Sequence, residues 1–255
     1  MRVGMNISQR IVGISIRRIR QLLAKSRRRQ SGQELIEFGL LLSVMVPLLL
    51  GTFVTGISLT RGIQTNQMDR DMTDMYIHGA DFSTYPMQQV AQRLARGLNL
   101  QIGSSFSNNE QSNTGNTGDV IVTVSQIMYI GPTTGGNCTA VGAANCTNHA
   151  GFVFTERILF GNGTLATSNP SFFGNPGAGA TITAAGIVQN YVTDSNAALP
   201  SAAQTAMQNL WQVSGSGRTP LADGQVVYAV ETYVKPMNFN LGIYTSSGVY
   251  ARYFF

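Results

Sequence analysis

Glu37 is a carboxylate in an apolar setting, five residues past Gly32 and the only ionisable side chain from Leu35 to Thr60. A charge near the centre of a membrane-spanning helix costs about 2.5–3.5 kcal/mol on insertion scales. The cost is smaller toward a helix end, where Glu37 lies, but a carboxylate there still calls for a cationic partner. Cys138 and Cys146 are the only cysteines, and at this spacing they are not a Cys-x-x-Cys redox or zinc pair. His78 and His149 are the only histidines, and two histidines and two cysteines at these spacings make no convincing metal site, so none is expected. Gly174-Asn175-Pro176-Gly177-Ala178-Gly179-Ala180 is glycine-rich but lacks the lysine of a phosphate loop. It reads as a flexible surface loop. The sequence has neither a Gly-x-Ser-x-Gly elbow nor a Ser-x-x-Lys. These residues predict no catalytic group, no cofactor and no enzyme.

The elements that hold these residues follow from charge and hydropathy. The net charge of +5 and pI near 9.5 suggest a nucleic-acid binder, but the distribution says otherwise. Nine of the 17 basic residues lie before Gln33, where there is no acid. The rest of the chain carries the other eight against all 12 acidic residues and is net negative. A nucleic-acid binder needs its basic face on the folded domain, so no nucleic-acid partner is expected. About twenty helical residues cross a bilayer, and the run from Leu35 to Thr60 is long enough. A secretory signal has a shorter apolar core that ends at a small-x-small site; here the apolar run is far longer and no Ala-x-Ala pattern follows it. Basic residues before a span stay in the cytoplasm, which places residues 1–32 inside and the bulk of the chain outside. Pro47, within the span, predicts a kink.

The junction Arg27-Arg28-Arg29-Gln30-Ser31-Gly32-Gln33-Glu34-Leu35-Ile36-Glu37 resembles the processing site of type IV pilin-like proteins. Ile36-Glu37-Phe38-Gly39-Leu40-Leu41-Leu42, followed by Pro47-Leu48-Leu49-Leu50-Gly51, resembles the TadE family of minor pseudopilins. The resemblance implies cleavage between Gly32 and Gln33 by a prepilin peptidase, with Glu37 at mature position five. It also implies assembly with pilin and other pseudopilin subunits on an inner-membrane platform of a tight-adherence (Flp-type) pilus or related secretion system. Two departures from the family pattern are a long leader, in which Met5 is a second possible start, and a large Gly/Asn-rich region beyond residue 100. The different-class alternative is a membrane-anchored extracytoplasmic binding module, an adhesin with an uncleaved signal anchor in contact with membrane lipid.

The expected layout is a leader at 1–32, a transmembrane helix at 33–60, a helical stem and second helix at 61–100, and an extracytoplasmic β-rich domain at 101–255. Leu59, Ile63, Met68, Met72, Met75 and Tyr76 follow a helical rhythm and predict a packing seam. Asp69, Asp71 and Asp74 are expected on a solvated face, and His78-Gly79 marks a break. A second helix is signalled by Ser83 or Thr84 as cap, Pro86 in the first turn and the stripe Met87, Val90, Ala91, Leu94 and Leu98. Residues 103–118 read as a polar loop. Strands are expected at 120–130, 152–160, 225–234 and 249–254, with a short helix at 201–212. The plan is α+β: a long transmembrane and stem helix, a second helix, then an antiparallel sheet with long loops, pilin-like by the resemblance. Cys138 and Cys146 fall outside the cytoplasm, where disulfides persist, and are expected to be joined. Three Asn-x-Thr triplets, at Asn137, Asn145 and Asn162, read as accidents of Asn/Thr-rich loops.

Overall fold

The structure is a computed structural model that describes residues 7–103, 112–115, 117–169, 171–211, 219–236 and 248–255, with side chains from residue 32 onward except 112 and 113. The chain divides into two compact units, Met1–Gly56 and Ile57–Phe255. The described backbone of the first unit is entirely helical and belongs to α1 (Ile7–Ile77), whose last turns begin the second unit. Gly32–Ile77 is long and apolar enough to cross a membrane. Leu35, Phe38, Leu40 and Leu49 are each more than half exposed. Hydroxyls in this stretch bond back to carbonyls of their own helix, Ser43 to Leu40 and Thr55 to Gly51. These bonds satisfy the hydroxyls within the helix itself. The backbone remains helical on both sides of Pro47.

The second unit is α+β. After α1 ends near His78 come α2 (Tyr85–Gly97), β1 (Ser112–Gly115), β2 (Val120–Ile130) and α3 (Gly136–Val141). β3 (Gly151–Asn162), α4 (Gly163–Ser168), α5 (Ser201–Trp211), β4 (Val226–Val234) and β5 (Val249–Phe254) follow. The sheet order is β1-β3-β2-β4-β5. β2 pairs antiparallel with β3 and β4, and β4 pairs antiparallel with β5. The expected all-antiparallel sheet needs correcting at one edge, because β1 runs parallel to β3. Its Ser-Asn-Thr-Gly sequence has no strand pattern, so only pairing to an existing edge could make it a strand.

Two cores cover opposite faces of the sheet. On one face, Val120, Val122, Val124, Ile158, Phe160 and Val230 pack against Met68 and Met72 of α1 and Ala91 and Ala95 of α2. On the other, Ile127, Phe152, Phe154 and Val227 pack with Ala203 and Met207 of α5. β3 serves both faces with even-numbered residues, and its register explains how. Gln126 pairs with Glu156 but Ile127 pairs with Phe154, so Thr155 is left over as a bulge. A bulge adds one residue and reverses which side chains face which way. Phe152 and Phe154 therefore leave the face that Ile158 and Phe160 occupy. The Thr155 hydroxyl is held by the Gln126 side chain at 2.9 Å.

The expected helical seam is partly realised. Met68, Met72 and Tyr76 are buried, whereas Leu59 and Ile63 are 67% and 62% exposed. The solvated reading of Asp69 is overturned: it is fully buried, while Asp74 is exposed. Asp69 lies one residue from Met68 and three from Met72, so it shares the face of α1 that the sheet covers.

Candidate functional site

Gly32, Gln33 and Glu37 lie on α1 and are exposed. Nothing comes within 4 Å of a Cβ built on Gly32. Glu37 is four residues from Gln33, about 6 Å along the axis at roughly 1.5 Å per residue. A peptidase that takes its substrate extended would have to unwind this turn, and glycine weakens a helix interior by about 1 kcal/mol.

Cys138 and Cys146 are joined, with an S–S distance of 1.97 Å and Cα atoms 5.1 Å apart. The bridge packs on Ile130, Val153 and Val192. Its loop is pinned by Asp223, whose carboxylate accepts from Gly131 N at 2.7 Å, Asn137 N at 2.8 Å and Asn137 Nδ2 at 3.0 Å. Partial burial pushes the Asp223 pKa up, but these donors outweigh it and hold the group below the usual aspartate value.

The most concentrated chemistry lies beneath the sheet face that faces away from α1, at residues the sequence did not single out. Arg157 on β3 and Glu231 on β4 are buried, with Nη1 3.6 Å from Oε2. Arg157 also donates to Ser125 Oγ at 2.5 Å, to the Gly174 carbonyl and to Asn175 Oδ1 at 2.9 Å. Glu231 accepts from the Ser171 and Tyr250 hydroxyls and from Phe172 N at 2.8 Å. Burial lowers the Arg157 pKa to about 10, and the Glu231 charge opposes that fall, so the guanidinium stays protonated at neutral pH. Burial, and then the Glu231 charge, push the Tyr250 phenol up, so it remains a donor. The Gly174–Ala180 segment, expected as a free surface loop, is in fact tied to this centre. Gly174 has φ +77 and sits where a Cβ would strike Pro200, so glycine suits this turn, whose carbonyl accepts from Arg157.

On the opposite face Thr232, the next residue along β4, donates its hydroxyl to Asp69 Oδ1. Asp69 Oδ2 is buried without a partner. Desolvation raises the Asp69 pKa well above the usual value; the Thr232 bond lowers it only in part, and Glu231 adds repulsion. Nearby, Tyr76 Oη donates to Glu156 Oε2 at 2.6 Å. His78 and His149 lie apart, each with its ring Nδ1 against a backbone carbonyl, of Asp74 and Cys146 respectively. Among the described residues no three of His, Cys, Asp and Glu come together as a metal site would require. The signal for the Arg157–Glu231 centre was present as charges inside otherwise apolar strands, in Phe152–Phe160 and Val226–Val234. A half-buried strand accepts such a charge only with a partner.

No protein-family model, no curated protein and no solved structure matches this chain.

Proposed function

We propose that this chain is a structural and assembly subunit resembling the TadE-like minor pseudopilins, anchored by α1 with its basic segment in the cytoplasm and its α+β unit outside. One observation carries the reading: Gly32 and Glu37 stand five residues apart where a basic segment meets a single apolar helix, and that helix leads into an α+β unit. Cleavage after Gly32 by a prepilin peptidase would free the amino group of Gln33 on the same helix as Glu37. Glu37 would then neutralise that amine, or a neighbouring subunit's, within an apolar filament core, in contact with pilin partners and the inner-membrane platform. The disulfide at Cys138–Cys146 fits an oxidising compartment.

The decisive measurement is the N-terminal residue of the protein isolated from membranes. Gln33 is expected. Met1 or Met5 would overturn the reading in favour of an uncleaved anchor, and a start beyond Thr60 would mean a signal peptide. Glu37→Ala is expected to be processed and inserted but to lose co-purification with pilin partners.

A further inference from the structure

We propose that the hollow between β4, β5 and residues 168, 169 and 171–175 is a binding site for a neutral saccharide. This proposal does not depend on processing at Gly32. Two adjoining spaces share Asn169, Tyr233 and Tyr250. The outer one, about 360 Å³ and open to solvent, is completed by Ser168 and Phe172. The inner one, about 30 Å³, is floored by Arg157, Glu231, Ser171 and Asn175. The outer volume lies within the range of small-ligand sites, about 300–1,000 Å³. The inner volume suits one hydroxyl-sized group, since about 10–15 Å³ already admits a water.

The lining selects the ligand class. Its aromatic side chains are Phe172, Tyr233 and Tyr250, and Phe172 and Tyr250 are 39% and 40% exposed. The Asn169 amide and the Ser168 hydroxyl complete the lining. The two charged lining residues, Arg157 and Glu231, neutralise each other, so an ionic ligand finds no countercharge in the lining. A purely apolar ligand would strip water from the amides and hydroxyls without replacing their hydrogen bonds. A sugar ring has C–H faces for the aromatics and hydroxyl edges for the polar groups, and meets both demands. Arg157 Nε is buried without an acceptor, a donor left over in the residue that floors the inner space.

The walls are held before any ligand arrives. Tyr250 is bound to Glu231, Phe172 N donates to Glu231 and to Tyr250 Oη, and the Arg252 guanidinium braces the Phe172 ring at 3.8 Å. A rigid site loses less on binding because its side chains are already ordered.

The test is saturation-transfer NMR on the full chain in a non-glycosidic detergent. The probes are lactose, maltose and N,N′-diacetylchitobiose, with glucuronic acid as the charged control. At least one neutral disaccharide should show transfer below about 10 mM, with glucuronic acid no better. Tyr233→Ala should weaken that binding roughly tenfold, on the scale of one aromatic contact, and Asn169→Ala severalfold, with thermal unfolding unchanged. Should Tyr233→Ala lose cooperative unfolding, Asn169→Ala, at a half-buried position, decides alone. The proposal is overturned if no neutral sugar binds, if glucuronic acid binds best, or if Asn169→Ala leaves binding unchanged.

Discussion

Asp69 of α1, bonded to Thr232 of β4, and Glu231, the residue before Thr232, are both buried carboxylates, yet they sit in opposite circumstances. Glu231 accepts three hydrogen bonds and faces a guanidinium at 3.6 Å. Asp69 accepts one hydroxyl and has a bare second oxygen in an apolar core. Equal burial therefore comes with unequal replacement of the hydrogen bonds that water would supply. Glu231 belongs to a network tying β2, β3, β4, β5 and the 171–175 segment together. Asp69 sits on the face of α1 that the sheet covers, and burial raises its pKa well above the usual aspartate value.

Breaking the better-satisfied centre should cost most. Arg157→Met leaves Glu231 buried without its cation, and a loss of about 3–5 kcal/mol is expected, read from urea unfolding of the disulfide-intact protein. Arg157→Met combined with Glu231→Gln should recover a large part of that loss. If the double variant is no better than the single, the pair is not the reason both residues are charged.

The next effect concerns the disulfide, which staples a local excursion of the same unit. Replacing both cysteines with serine is expected to cost about 2–3 kcal/mol. Hydrogen exchange should rise in residues 136–148 and not in β2 or β4. Loss of protection across the sheet would show that the staple supports more than its own loop.

Asp69 should give a smaller effect with a distinctive pH signature. Its folded pKa is raised by burial, so the folded state binds the extra proton. Its contribution is therefore fully present below the unfolded pKa, about 3.9, and is lost as pH rises through the folded value. Asp223, whose pKa is lowered, works in the opposite sense: its contribution is present above the unfolded pKa and fades as pH falls through the folded value. Glu156, raised first by burial and only partly offset by Tyr76, follows Asp69. Asp69→Asn should flatten the decline of stability on the alkaline side, by chemical denaturation from pH 4 to 9. An unchanged slope would mean that Asp69 is ionised in the folded protein. The smallest effect is expected for Tyr250→Phe, which removes one of three donors to Glu231 and should cost about 1 kcal/mol.

Much of the architecture was legible in the sequence because its signals are local. The apolar stretch of α1 follows from hydropathy. The four longer strands and the helices at 85–97 and 201–211 lie within a residue or two of where β-branched runs, Pro86 and helical spacing put them. The cysteine pair followed from topology and the absence of other thiols. What the sequence could not supply depends on which distant segments meet. Ser112–Gly115 is a strand only because β3 offers it an edge. The face of Phe152 and Phe154 was settled by one surplus residue, Thr155, which alternation along a single strand cannot reveal. Asp69 looked solvated beside Asp71 and Asp74, and its burial depends on which face of α1 the sheet covers. Arg157, Glu231 and Tyr250 lie far apart in the chain and form one site only when β3, β4 and β5 are in register. Patterns of period two and 3.6 determine elements from neighbouring residues, but pairing, register and the partnering of buried charges are long-range, and the tertiary structure alone decided them.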